Sequence, residues 1–144
     1  MRATVRRLAL IALAAASISS VLAGSASATV NPCEPEILRA ADRYGVPVGI
    51  LYAVGLTETG KKGTLQPNAL NIEGKAVFPR NPTEALQAFE SARSEGKTLI
   101  DLGCMQINFR YHAAEFRSVR DMLDPRLNVD YAARFLVSLR KRHE

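Results

Sequence analysis

Glu58 stands near the end of an apolar stretch, residues 50–60, ILYAVGLTETG. Ile50, Leu51, Val54 and Glu58 recur at three- and four-residue steps, which sets the carboxylate on the buried face of a helix or at its edge. A Glu in the last turn meets the negative end of the helix dipole. No Lys or Arg lies in the turn before it. Partial burial and the dipole both disfavour the carboxylate, and a carboxylic acid that keeps its proton is suited to protonating a leaving oxygen. The plainer alternative is a solvated Glu at a helix end.

A second constellation lies in residues 101–109, DLGCMQINF. Gln106 and Asn108 sit among apolar residues, behind a Gly that permits close backbone approach. Amides in such company must be hydrogen-bonded. They either tie the loop to a neighbouring hairpin or present amides to a polar, uncharged ligand such as a sugar, and spacing does not separate the two. The only cysteines, Cys33 and Cys104, form an even pair that suggests one disulfide in an oxidising compartment, closing a loop of about 70 residues, with two unrelated buried thiols as the plainer alternative. Two Cys and two distant His, His112 and His143, show no metal-ligand spacing, so neither metal nor cofactor is expected.

The first 28 residues stand apart. Arg2, Arg6 and Arg7 precede the apolar run LALIALAAASISSVLAG and then SASA, the order of charged, apolar and small-residue regions in a secretory signal peptide. Cleavage is expected after Ala28. The Ala/Ser-rich run ending in an A-x-A site argues against a retained membrane anchor, and Cys33 has no lipobox before it. The expected organisation is a signal peptide at 1–28 and one small domain at 29–144, with one modest core. The whole chain carries +5; three of its nineteen basic residues and none of its fourteen acids lie in 1–28, leaving +2 on the remainder. That charge gives no argument for nucleic acid.

These residues need elements to position them. The spacing predicts a first helix with Ile37, Leu38, Ala41 and Tyr44 on one face and Gly45 as its stop, then a second entered through Pro47. A polar loop follows at 61–68, and a hairpin turns near Glu73 and Gly74. Asn81 caps a third helix that Pro82 opens and Gly96 ends. A short extended piece precedes Gly103. Ser118 and Asp121 stand at capping-box spacing before a final helix with Val129, Ala132, Ala133, Leu136 and Leu139 on one face. Tyr44, Tyr52 and Tyr131 read as core, His112 as a packed or rim residue, Asn128 as a helix-start cap and Asp101 as structural. The expected fold class is α+β, mainly α, with one small β-hairpin.

Three segments in order, YGVPVGILYAVGLTETG, DLGCMQIN and DPRLNVDYAARFLVSL, resemble the motifs of the lytic transglycosylase (SLT) domain of the lysozyme-like superfamily. That family's pattern is a helix ending in Glu-Ser-Gly, then Gly-Leu-Met-Gln-Ile, then Asn-Ile before an alanine-rich helix. Here Thr59 replaces the Ser, Cys104 the Leu and Val129 the Ile. The resemblance implies a lysozyme-like helical domain in which Glu58 is the catalytic acid/base and Thr59, Met105, Gln106 and Asn108 line a sugar cleft. It implies cleavage of the bond between N-acetylmuramic acid and N-acetylglucosamine in peptidoglycan, with closure of a 1,6-anhydro ring and no second carboxylate. The hairpin and the INFRYH segment look most like small specialised members, which accompany secretion systems, pili or flagella. Glycan strands, such an apparatus and a periplasmic location are therefore the implied partners and place. The family's pattern continues into a helix with a Tyr-Asn-Ala-Gly type segment. This sequence reaches LRKRHE without one, so a short C-terminal part is expected. A non-catalytic wall-binding or assembly adaptor and a lysozyme-type hydrolase are the alternatives.

Overall fold

The computed structural model describes residues 30–59 and 63–143. The expected signal peptide lies outside the described residues, as does the side chain of Thr59. Helix α1 spans Cys33–Tyr44 and α2 spans Val48–Thr59. Strands β1 (Leu70–Ile72) and β2 (Lys75–Val77) follow, then α3 (Pro82–Ser94), β3 (Ile100–Leu102) and β4 (Ile107–Asn108). Short helices α4 (Phe109–His112) and α5 (Val119–Leu123) lead into the long α6 (Pro125–His143). The protein is thus a mainly helical α+β fold, as its sequence predicts.

The local signals act as read. Asn81 Oδ1 accepts from the Glu84 N–H at 2.9 Å and opens α3. The Ser118 hydroxyl accepts from the Asp121 N–H at 3.1 Å and opens α5. Glu73 and Gly74 turn the β1–β2 hairpin, in register Leu70 with Val77 and Ile72 with Lys75. The expectation of one small hairpin is corrected. The hairpin is half of a four-stranded antiparallel sheet in the order β2-β1-β3-β4. Strand β3 pairs with β1 across the whole of α3, and β4 is a two-residue return onto β3.

Strand alternation splits this sheet into two chemistries. Leu70, Ile72, Ile100, Leu102 and Ile107 join the core beside Phe89 and Ala92 of α3. The opposite face carries a cross-strand row of Asn71, Asp101 and Asn108, each directly beside the next. Below the sheet, α1 packs along α6. Tyr44 donates its hydroxyl proton to Asp130 at 2.9 Å, and Ile37, Ala40, Val129 and Ala133 are buried. The disulfide joins Cys33, the first residue of α1, to Cys104 in the loop after β3, 71 residues apart.

Candidate active site

Helix α2 is apolar all round, so its packing is set by shape more than by a polar face. Gly55 decides where it lies. A Cβ there would stand 2.7 Å from Leu65 Cδ2 and 3.3 Å from Met105 Sδ. The missing side chain lets the helix seat directly on the loop after β3. A Gly in mid-helix costs about 1 kcal/mol against Ala, which close packing offsets here. One turn further on, Glu58 reaches the same region from the helix end.

The loop that α2 meets is held by one side chain. Asn128 is fully buried. Its Oδ1 accepts from the Met105 N–H, and its Nδ2 donates to the carbonyls of Leu102 and Met122, each at 2.8 Å. The expectation of a helix-start cap is corrected. Asn128 lies inside the first turn of α6, where its own N–H bonds to Asp124 O, and Asp124 Oδ1 accepts from the Leu127 N–H in the capping role. Gly103, at φ +76°, completes the contact, because a Cβ there would come within 2.7 Å of Asn128 Nδ2.

Gln106 adopts a left-handed backbone at φ +46°, costly for a side chain of its size. Its Nε2 donates to the carbonyls of Ala69 and Gly103, both at 3.0 Å. This is the loop-to-hairpin tie that the sequence left open. The Gln106 amide donors are committed to backbone, and the residue still lines the cavity.

That cavity, of about 300 Å3, lies between α2, the β3–β4 loop, α4 and α6. It is lined by Glu58, Met105, Gln106 and Asn108, the residues that the family resemblance groups with Thr59 in one cleft, and by Val54. Asp101, His112, Tyr131, Phe135, Leu136 and Leu139 also line it. Glu58 is exposed at the rim, which corrects the expectation of partial burial. Met105 is buried at 3 % exposure and serves mostly as the floor.

Asp101 is the larger correction. The half-buried carboxylate on β3 enters the same cavity as Glu58. Asn108 Nδ2 donates to its Oδ1 at 2.6 Å. Asn108 Oδ1 is thereby left buried without a partner among the described residues. An unpaired buried carbonyl costs about 1–3 kcal/mol, so orienting Asp101 outweighs satisfying the whole amide. A signal for this was present in the sequence. Asp101 lies between apolar Ile100 and Leu102, and strict alternation puts it on the face opposite the core.

His112 and Tyr131 form the far wall. The Tyr131 hydroxyl and His112 Nδ1 lie 2.8 Å apart, and the imidazole packs edge-on against Phe135, with ring centroids at 5.2 Å. Tyr131 is core, as expected, and also faces the cavity. Burial and the nearby Glu115 carboxylate raise its hydroxyl above the usual tyrosine range, while Arg134 opposes them. The pair leaves His112 Nε2 as the ring's remaining polar atom. Among the described residues no cluster of His, Cys, Asp and Glu is arranged to hold a metal ion.

The cleft therefore brings an exposed acid at a helix end, a second oriented carboxylate, committed amides and an apolar floor into one groove. That combination can give and take a proton beside a groove with an apolar floor. No family model matches the chain, and neither the curated proteins nor the solved structures offer a match to it.

Proposed function

We propose that this protein cleaves the glycan strands of peptidoglycan, as a lytic transglycosylase with Glu58 as its acid/base. The observation that carries the reading is convergence. Glu58, Met105, Gln106 and Asn108 come from two separate segments and line one cavity. The resemblance of those segments to the SLT motifs supplies the chemistry. Glu58 gives its proton to the glycosidic oxygen between N-acetylmuramic acid and N-acetylglucosamine, and the substrate's N-acetyl oxygen attacks the anomeric carbon. Glu58, now a carboxylate, takes the proton of the 6-hydroxyl as that oxygen closes the 1,6-anhydro ring and the N-acetyl group leaves. The exposed rim position suits Glu58 to a polymer that must be threaded into an open groove. The leader-like first 28 residues and the Cys33–Cys104 disulfide favour action outside the cytoplasm, and the resemblance to small specialised family members adds the periplasm and a wall-spanning apparatus to the reading.

The placement of Asp101 favours a second reading, a lysozyme-type hydrolase. In the usual two-carboxylate scheme one acid protonates the leaving oxygen while the other stabilises or attacks the developing cation, and water completes the reaction. The products differ by one water, about 18 Da.

Both readings are tested by mass spectrometry of sacculi treated with the purified protein. Anhydro-muropeptides are expected. Glu58→Gln is expected to lower their release by about 100-fold or more, the usual contribution of a positioned acid/base. Asp101→Asn is expected to leave most of the anhydro product. Reducing-end products that vanish in Asp101→Asn establish the hydrolase instead, and a folded wild type that releases nothing defeats both.

A further inference from the structure

On the other side of α4 from the cleft, two arginines share a pocket. Asn108 and His112, four residues apart, face the cavity that holds Glu58. Phe109 and Arg110, between them, line a separate cavity of about 420 Å3 with Arg93, Thr98 and Ala113. Arg93 comes from the last turn of α3, so two elements each contribute an arginine to the lining of this cavity.

Both arginines are positioned without a carboxylate. Arg93 lies over the Phe109 ring with Cζ 5.3 Å from its centroid, and its Nη1 donates to Lys97 O at 2.7 Å. Arg110 lies over Tyr111 at 5.7 Å. Phe109 is itself fixed by an edge contact to Phe89, with centroids 4.8 Å apart. Neither Arg93 nor Arg110 forms an ion pair among the described residues, whereas Arg39, Arg43, Arg80, Arg117 and Arg134 each do. Two cationic side chains lining one cavity, neither neutralised by a carboxylate, favour an anionic ligand there. The guanidinium fork matches a planar carboxylate in bidentate fashion, and the Thr98 hydroxyl adds a donor at the rim.

We infer that this pocket is a subsite for a carboxylate of the substrate's peptide stem. The inference rests on the proposed cleavage of peptidoglycan. A glycan lying in the cleft passes α4, and an acidic side branch that crosses this single helical turn arrives at Arg93 and Arg110. The subsite would favour strands that keep their stems over bare glycan.

The test uses the full protein and a probe that needs no turnover: the free acidic stem peptide, released from sacculi by an amidase, followed by amide shifts in NMR. The acidic peptide is expected to shift Thr98, Arg110 and Ala113. Blocking its carboxyls as amides, or substituting Arg93→Gln with Arg110→Gln, is expected to weaken binding about tenfold at low salt, as for two exposed ion pairs. The double Lys variant is expected to retain part of the affinity, which separates charge from fold. In cleavage assays the Gln variant is expected to show a raised KM on stem-bearing strands and unchanged kinetics on bare glycan. Equal affinity for the amidated peptide overturns the inference, as does inorganic phosphate binding as tightly as the stem. Stem binding through these arginines in a protein that cuts no glycan keeps the subsite and removes the enzyme; cleavage indifferent to them removes the subsite alone.

Discussion

Asn128 has no exposed surface, and its three polar contacts join three segments: the end of β3, the cleft loop and the end of α5. A leucine would fill the same space without meeting any of those groups. Leaving a backbone N–H and two carbonyls unpaired in the interior costs about 1–3 kcal/mol for each donor or acceptor that finds no substitute. Asn128→Leu is expected to lose about 2–4 kcal/mol and to lower the melting midpoint by 10 °C or more. Thermal unfolding followed by circular dichroism checks this. A variant as stable as the wild type shows that the clamp carries no weight. From sequence, Asn128 reads as a cap, because Asn is among the preferred residues just before an apolar helix. Its true role needs a partner 23 residues upstream, and such a partner leaves no local trace. Asp101 was more legible than it was read to be, since alternation alone points it away from the core. Glu58 was legible in place and not in burial, because the apolar character of α2 says how it packs on one side only.

Among the elements, the helices and the hairpin were legible because each carries its own punctuation: Gly45 and Gly96 as stops, Asn81 and Ser118 as caps, Glu73-Gly74 as the turn. The sheet was not legible. Its central pairing joins β1 to β3 across the thirteen residues of α3, and β4 is too short to show a period. The disulfide ties these scales together, holding the start of α1 to the loop that α2 and α6 also contact. On the chain-entropy argument a bridge over 71 residues stabilises by about 4 kcal/mol. Replacing both cysteines by serine is expected to lower stability by that order in urea unfolding. A loss below about 1 kcal/mol shows that the non-covalent contacts suffice. The spacing could suggest this bridge only because no other cysteine competes for a partner.

For the whole molecule, three of the four tyrosines act as joints. Burial, then the hydrogen bond to Asp130, raises Tyr44 above the ordinary phenol range. The hydrogen bond to Glu34, then burial, does the same for Tyr52, and burial beside Glu115 does it for Tyr131. In each case the folded protein holds the phenolic proton more tightly than the unfolded chain does. Their contribution to stability is therefore complete below the unfolded value, about pH 10, and is lost as pH rises through the folded values. Denaturant midpoints between pH 8 and pH 11.5 are expected to be flat with respect to these groups up to about 10 and to fall beyond it. Ultraviolet titration locates the phenols directly; Tyr44, Tyr52 and Tyr131 ionising near 10 contradicts the argument.

The order in which the chain is made gives the Asn128 contact a further consequence. Glu58 leaves the ribosome early, but the loop facing it is fastened by a side chain that emerges seventy residues later. A polypeptide cut short before its final helix would carry the acid with no groove to use it in. Termination or trimming before that point thus leaves Glu58 without the Asn128 clamp on the facing loop and without the wall that Tyr131, Phe135 and Leu136 supply.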